Sequence, residues 1–333
     1  MKSFYDLNLE EQSICMTKMA VKAMDAYELG ETKIQLIKHE MNSVFKIHGM
    51  ETNKTYVLRI HPGNWLSPEI INSESIFLEA LARDEGLLAS TPVRGKNQSF
   101  VQIVSTDEVP EGRCCMLFNW VEGDIYEEKL EPEFLIQSGE YLARLHEFGR
   151  KFKPMDGFDR PRLDMEGLFG PNGMFSSKYG ELLIGKEDKD FLVKVEDKLR
   201  SQLDQIGTGE EMFGFIHGDY YFRNLVDQDG RIGAIDFDLC GWGYYYYDLL
   251  PPYWPSQQGD LDQALSYILQ GYRKVRKVPD GFDEYKDTFH AIRRLMDIYF
   301  FAARQDHPVF RDGFNDVLRY CIENLKVYMK GCD

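Results

Sequence analysis

The stretch IHGDYYFRN, Ile216 to Asn224, decides how this sequence is interpreted. It places Asp219 directly after a short apolar run, and Asn224 follows five residues later. Twelve residues beyond Asn224, a second carboxylate, Asp236, follows another apolar segment in GAIDFD. The turn residues Gln228-Asp229-Gly230 between these segments predict a β-hairpin, which folds the chain back on itself. We therefore expect the acid, the amide and the second acid to lie close together.

The length and composition predict a globular protein of two domains. The chain has 333 residues, whereas single hydrophobic cores stop growing at roughly 250–300 residues. Its hydrophobic content of 43% is ample for packed interiors. The net charge of -16 argues against a nucleic-acid partner, because binding to a phosphate backbone relies on clustered Lys and Arg.

The sequence gives no sign of a membrane partner or of export. No apolar run approaches the ~18 residues needed to cross a bilayer, and the N-terminal MKSFYDLNLEEQ lacks the apolar core of a signal peptide. The six cysteines show no CxxC pair and no Cys/His ligand spacing. We therefore expect reduced thiols in a cytoplasmic protein.

The first 120 residues predict a small β-rich lobe. Residues 3–29 have the pattern of a leading helix. Five short runs rich in β-branched and aromatic residues predict an antiparallel sheet: IQLIKH, SVFKIHG, KTYVLRIH, SFVQIVS and CCMLFNWV. Ser67-Pro68 supplies an N-cap and a first-turn proline for one helix, from about Glu69 to Glu85.

Residues 121–333 predict a larger, mainly helical lobe that carries the hairpin, with a hinge near residues 119–123. Helical periodicity marks residues 132–149, 189–206, 260–277, 283–304 and 313–330, while residues 150–185 have the composition of an extended loop region with one short helix. The sequence thus indicates an α+β fold of two lobes, the smaller one a five-stranded antiparallel sheet with one helix.

The acid, amide and acid suit phosphoryl transfer from MgATP. That reaction needs metal ions and a cation on the phosphates and an acid near the attacking hydroxyl. Asp219 is the candidate base, which would accept the hydroxyl proton of the substrate. Asn224 and Asp236 offer the hard oxygen ligands that Mg²⁺ prefers.

In the small lobe, Arg59 lies on the third predicted strand and Glu74 on the following helix. Glu74 falls in the middle of an apolar helical stripe, where an unpaired carboxylate would be costly. Pairing with Arg59 would compensate it and hold the guanidinium ready for the α- and β-phosphates of a nucleotide.

HGDYYFRN followed by IDFD resembles the signature of the aminoglycoside phosphotransferase and choline kinase-like superfamily, whose fold is similar to that of the eukaryotic protein kinases. The YVLRI strand, the helix bearing Glu74, the segment LFNWVEG and the helix YLARLHEF look like family features in family order. The resemblance covers most of residues 34–250.

The resemblance implies roles at matching positions. Asp219 resembles the catalytic base of the family, Asn224 and Asp236 its magnesium ligands, Arg59 its phosphate-contacting cation and Glu74 the partner of that cation. Met116–Val121, which includes Phe118 and Trp120, looks like the hinge that binds adenine through its backbone. The loop HEMNSVF departs from the pattern because it has no glycine, although the backbone N–H groups near Asn42 and Ser43 could still cap phosphates.

Other residues in these motifs favour structural roles. His217 is expected to orient the catalytic loop, since the acid beside it already supplies a base. Asp248 is expected to anchor local backbone N–H groups. The aromatic run Tyr244–Tyr247 with Tyr253 and Trp254 either forms a cation–π cage for a quaternary ammonium ligand or, more commonly for such stretches, packs into the core.

The sequence therefore predicts an ATP-dependent phosphotransferase that moves the γ-phosphoryl group of MgATP to a hydroxyl of a small molecule, such as an aminoglycoside, choline or homoserine. A protein Ser/Thr kinase of the same fold is one alternative, although no APE-like end of an activation segment follows DFD. A nucleotide-binding module without catalysis is the other. Intact acids and amide argue against it.

Overall fold

The computed structural model describes residues 3–63, 65–125, 131–250 and 261–331, which form two compact units. The first unit holds the chain up to Glu122 together with Pro154–Asp159 and Asp306–Val309. The second holds Gly123–Lys153, Arg160–Gln305 and the chain from Phe310 onward. Among the described residues, no helix has both the length and the apolar character needed to span a bilayer.

The first unit is a β-sheet with two helices. Its elements are α1 (Leu9–Ala23), β1 (Thr32–His39), β2 (Ser43–Gly49), β3 (Thr55–Ile60), α2 (Pro68–Asp84), β4 (Leu88–Ala89), β5 (Pro92–Val93), β6 (Gln102–Thr106) and β7 (Val109–Asn119). The strands run in the order β1-β2-β3-β7-β5, and β6 also pairs with β7. All of these pairings are antiparallel.

The sheet has six strands, so the predicted number of five was wrong. The additional strand, β5, contains only Pro92 and Val93, which pair with Phe118 and Leu117 of β7. Two residues are too few to produce an alternating apolar pattern. The proline is tolerated because β5 lies at the edge of the sheet.

The leading helix is shorter than the predicted span of residues 3–29. It begins at a capping box, in which Asn8 Oδ1 accepts from the backbone N–H of Glu11 at 2.9 Å and the Glu11 side chain accepts from the N–H of Asn8. It ends in the 3₁₀ turn Met24–Ala26. The buried face of α1, with Met16 and Met19 fully buried, belongs to the core cluster that the sheet also lines.

Helix α2 follows its prediction closely. The Ser67 hydroxyl accepts from the N–H of Ile70 at 3.3 Å, and Pro68 occupies the first turn. Phe77 and Leu78 on its apolar stripe are each 1% exposed. Glu74 lies on that buried stripe, as the sequence predicts.

The second unit is mainly helical and also contains short strands. Its elements are β8 (Asp124–Ile125), α3 (Pro132–Lys151), β9 (Arg162–Leu163), α4 (Met165–Phe169), α5 (Lys186–Ile206), β10 (Phe213–Ile216), β11 (Leu225–Gln228), β12 (Arg231–Ala234), β13 (Gly241–Tyr244), α6 (Tyr245–Leu249), α7 (Leu261–Tyr272), α8 (Phe282–Ala303) and most of α9 (Pro308–Lys330). Strand β13 pairs with β10 and β9, a pairing that the sequence did not predict.

Two close backbone contacts shape this unit. Helices α3 and α7 approach closely at Gly139 and Gly271, where an added Cβ would overlap the backbone of the facing helix. Strands β11 and β12 form the predicted hairpin, with Gln228 opposite Arg231. Asp229 and Gly230 both have positive φ, 53° and 83°, which is the conformation of a type I′ turn.

Candidate active site

The hairpin brings the second acid next to the amide, as predicted. Asn224 immediately precedes β11, and Leu225 pairs with Ala234 at the end of β12. The N–H of Ile235 then donates to the carbonyl oxygen of Asn224 at 2.8 Å. Asp236 is the next residue. The backbone at Asp236 therefore lies close to Asn224, although the two residues are twelve positions apart in the sequence.

Asn224 also contacts Asp219. Its Nδ2 donates to the backbone oxygen of Asp219 and to Asp219 Oδ2, both at 2.9 Å. These two atoms can only accept, which fixes the orientation of the amide. The Asn224 Oδ1 is consequently directed away from Asp219 and can serve as a ligand.

The loop that carries Asp219 is shaped by the two residues before it. Gly218 has φ of +80°, and a side chain there would also meet the backbone oxygen of Leu239. The ring of His217 accepts at Nδ1 from the N–H of Asp219 at 3.2 Å, and its Nε2 lies 3.2 Å from the carbonyl oxygen of Ile235. His217 is therefore the neutral Nε2–H tautomer, and burial lowers its pKa. These contacts agree with its predicted structural role, which stays a prediction.

Asp248 is the anchor of this loop, also as predicted. Its carboxylate accepts from the N–H of His217 at 2.6 Å and of Gly218 at 2.9 Å. His146 lies 3.2 Å from Asp248 Oδ2 through Nε2, and its Nδ1 contacts the Tyr272 hydroxyl at 2.9 Å. Burial opposes ionisation of Asp248, but the hydrogen bonds from the His146 ring and from the backbone N–H of His217 outweigh it and lower the pKa of Asp248.

Asp219 has the ionisation expected of a general base near neutral pH. Burial raises its pKa from 3.8 to about 6. The positive charges of Arg223 and Arg293 oppose this rise, and the negative charge of Asp236 adds to it. A carboxyl group with a pKa of about 6 is mostly ionised at pH 7. This pKa is also close to the operating pH, where a general base works best.

Asp236 stands at a conformation that few non-glycine residues adopt. Its φ and ψ are 62° and 61°, in the left-handed region, which costs an L-residue about 1 kcal/mol. Its side chain is exposed. Such backbone conformations cluster at functional sites, where they direct a side chain.

The donors of this cluster suit magnesium. In the described part of the chain, no group of three or more His, Cys, Asp and Glu side chains could hold a metal unaided. Mg²⁺ is, however, usually held by one or two protein oxygens with water and substrate phosphates. The Asn224 amide oxygen and the Asp236 carboxylate match that requirement.

In the first unit, Arg59 and Glu74 form the predicted ion pair. Arg59 Nη2 donates to Glu74 Oε2, and their side chains are 6% and 1% exposed. The Arg59 guanidinium also lies 4.8 Å from the centre of the Phe118 ring. Phe118 therefore packs on the ion pair from β7.

The remaining predicted nucleotide contacts are also in the first unit. Asn42 and Ser43 lie at the β1–β2 turn and are buried. The Ser43 hydroxyl is 2.8 Å from His39 Nδ1, so its side chain is already engaged. Trp120 follows β7, and its backbone N–H donates to the backbone oxygen of Thr55 at 3.3 Å. The Lys46 ammonium lies over the Trp120 ring, 4.4 Å from its centre. The nucleotide-binding roles of these residues stay predictions.

The aromatic run packs inside the second unit, and it reveals a residue that sequence reasoning missed. Tyr244–Tyr247 are all buried, at most 4% exposed, whereas Tyr253 and Trp254 lie outside the described residues. The guanidinium of Arg293 on α8 lies 4.0 Å from the Tyr247 ring centre. Nothing in the sequence near Arg293 signals this contact, because 46 residues separate it from Tyr247.

The fold and the acid–amide–acid cluster define a kinase-like phosphotransferase. Residues 33–285 match the sequence profile of the phosphotransferase enzyme family, APH. The chain belongs to this family, which confirms the resemblance read from HGDYYFRN and IDFD, and it is an enzyme of the phosphotransferase class.

Relatives and solved structures agree with this assignment. The chain is 24% identical over 280 residues to the serine/threonine protein kinase RdoA of Salmonella typhimurium, covering 82% of this chain and 78% of that protein. The structure of a microcompartment-associated aminopropanol kinase is similar with a TM-score of 0.76 and 25% identity, over 93% of this chain and 95% of that one. An amicoumacin kinase in complex with AMP-PNP, Ca²⁺ and Ami shares the fold, with a TM-score of 0.74 and 16% identity over 94% and 95% of the two chains.

Proposed function

We propose that this protein transfers the γ-phosphoryl group of MgATP to a hydroxyl group of a small molecule. The observation that carries the proposal is the hydrogen bonding of Asn224 to Asp219. This contact fixes the carboxylate of Asp219, the candidate base. It also directs the amide oxygen of Asn224, a candidate metal ligand, away from Asp219. A protein that only binds MgATP would have no need of the base.

Asp219 acts as the base in this proposal. Its carboxylate accepts the proton of the acceptor hydroxyl as the hydroxyl oxygen attacks the γ-phosphorus and the bond from the γ-phosphorus to the bridging oxygen breaks. ADP leaves with the bridging oxygen. Because the pKa of Asp219 is about 6, the residue is ionised at pH 7 and is still basic enough to take the proton.

The divalent ion would be held by Asn224 and Asp236. When bound, Mg²⁺ neutralises charge on the phosphates and orients them. Two observations support this proposal. Both side chains offer oxygen donors, and the amicoumacin kinase structure contains Ca²⁺ and the nucleotide analogue AMP-PNP. We propose magnesium as the ion and ATP as the nucleotide.

Arg59 would bind the nucleotide phosphates, with Glu74 as its partner. The Glu74 carboxylate fixes one edge of the guanidinium and compensates its burial. A guanidinium held in this way loses little further conformational freedom when it binds an anion. Met116–Val121 would receive the adenine through its backbone.

The acceptor is proposed to be a small amino alcohol or a related hydroxylated compound. Two similar structures carry the names aminopropanol kinase and amicoumacin kinase. Both names describe kinases of small molecules, and the first of them is 25% identical to this chain. Choline, ethanolamine, homoserine and aminoglycosides belong to the same range of acceptors.

A protein acceptor is the second candidate, because one relative is named as a serine/threonine protein kinase. The chemistry at Asp219 would be the same. The two candidates differ only in the group that presents the hydroxyl, so one experiment can separate them.

The test is ADP release from MgATP by the wild-type protein and by Asp219→Ala. The acceptor panel contains aminopropanol, ethanolamine, choline, homoserine, aminoglycosides and a generic protein substrate, and calorimetry measures MgATP binding separately. We expect release that depends on a small-molecule acceptor and disappears in the variant, with MgATP affinity retained. Release that depends only on the protein substrate would favour the second candidate, and turnover of Asp219→Ala within a few fold of wild type would exclude the assigned base.

A further inference from the structure

Arg293 is a buried arginine whose contacts converge on the catalytic loop. It lies on α8 and is 5% exposed. Its Nη1 is 3.3 Å from the Tyr221 hydroxyl, and its Nη2 donates to the backbone oxygen of Tyr247 at 2.8 Å. The guanidinium carbon lies 5.2 Å from the Tyr221 ring centre and 4.0 Å from that of Tyr247. One side chain thus joins the segment after Asp219 to the segment before Asp248.

These contacts are a poor arrangement for stability alone. Burying a guanidinium is costly unless it is paired and hydrogen-bonded. In the described part of the chain, the buried Nε of Arg293 has no hydrogen-bond partner. A buried group left partly unsatisfied calls for a functional explanation.

We propose that Arg293 is a positioning residue for phosphoryl transfer, which holds the Tyr221 and Tyr247 segments around the catalytic loop. It deepens the proposed function and rests on it, since its effect on turnover requires Asp219 to be the base.

Two substitutions of Arg293 test this role. Arg293→Gln removes the guanidinium, whereas Arg293→Lys keeps the charge and loses the planar fork that contacts Tyr221 and Tyr247 together. Arg276→Gln is a matched control, because Arg276 is also buried, lies 3.9 Å from the Tyr245 ring centre and contacts the backbone oxygen of Glu210 at 3.3 Å. Neither Tyr245 nor Glu210 belongs to the catalytic loop.

Circular dichroism checks the folding of each variant, and calorimetry measures its MgATP affinity. Arg276→Gln should keep both close to wild type, because the contacts of Arg276 lie away from the catalytic loop.

Turnover on an acceptor found by the panel gives the decisive readout, and Arg276→Gln should keep kcat close to wild type. Misplaced reacting groups slow catalysis, so kcat of Arg293→Lys should fall about tenfold with MgATP affinity within about threefold of wild type. This variant also decides the question if Arg293→Gln does not fold. An unchanged kcat in Arg293→Lys, or the same fall in Arg276→Gln, would overturn the positioning role, whereas loss of the proposed function itself would appear as activity in Asp219→Ala.

Discussion

Replacing Asp219 by asparagine should stabilise the protein at neutral pH while abolishing its activity. Burial raises the pKa of Asp219 from 3.8 to about 6, so the folded state binds this proton more tightly than the unfolded state does. Each pKa unit corresponds to about 1.4 kcal/mol, so roughly two units make ionised Asp219 destabilising by ~3 kcal/mol. Because the side chain is only partly buried, solvent screening reduces this figure to about 1–3 kcal/mol.

The sign of the pH dependence follows from the raised pKa. The destabilisation is fully present above about pH 6 and is lost as the pH falls toward 3.8. The asparagine can still accept the hydrogen bond from Asn224 but carries no charge. The advantage of Asp219→Asn over wild type should therefore grow by about 1 kcal/mol between pH 5 and pH 7.5.

Urea unfolding of the nucleotide-free proteins at these two pH values measures the difference. Asp229→Asn, which removes an exposed carboxylate in the hairpin turn, is the charge-matched control and should show no such growth. An Asp219→Asn variant that is less stable than wild type by the same amount at both pH values would refute the reasoning, because its carboxylate would then be stabilising in the folded state.

Four further predictions follow from the same contacts. The rate constant kcat should fall below about pH 6, because protonated Asp219 cannot act as a base. Burial raises the pKa of Asp297 to about 6 as well, so Asp297→Asn is the control and should keep this fall. A pH–rate profile of Asp297→Asn without the fall would assign it to Asp297. Glu74→Gln should weaken MgATP binding in calorimetry and lower stability by about 3 kcal/mol, because it leaves the Arg59 charge uncompensated; unchanged affinity would remove Arg59 and Glu74 from the nucleotide site. Asp236→Ala should raise the Mg²⁺ concentration needed for half-maximal turnover about tenfold or more, and an unaltered requirement would contradict its role. Asp248→Ala should cost about 3 kcal/mol in denaturant unfolding, because two buried N–H groups lose their acceptor, and a loss below ~1 kcal/mol would show that the anchor is dispensable.

Much of the fold could be predicted because local signals coincide with it. Ser67-Pro68 predicts the start of α2, and the capping oxygen is where the sequence suggests. The hairpin follows from Asp229-Gly230, which accept positive φ at little cost. Short pairings such as β5 with β7 could not be predicted, because two-residue strands are set by their neighbours and not by their own pattern.

The candidate site was predictable where it is local in sequence. The hydrogen bonds among Asp219, Asn224 and Ile235 join residues at most eleven positions apart. The longer of these spans contains the hairpin, which is itself predictable. Arg293 was missed because its contacts depend on how α8 packs against the Tyr247 segment. Packing of distant helices leaves no signature at the residue itself.

The most direct test of the central claim is the transfer of the γ-phosphoryl group of ATP to a small-molecule hydroxyl, followed by ³¹P NMR of the product, for wild type and Asp219→Asn at equal nucleotide occupancy. The proposed function predicts a phosphorylated acceptor with wild type and a rate at least ~100-fold lower with Asp219→Asn, although the variant binds MgATP and is fully folded. Equal rates of product formation by the two proteins would contradict it.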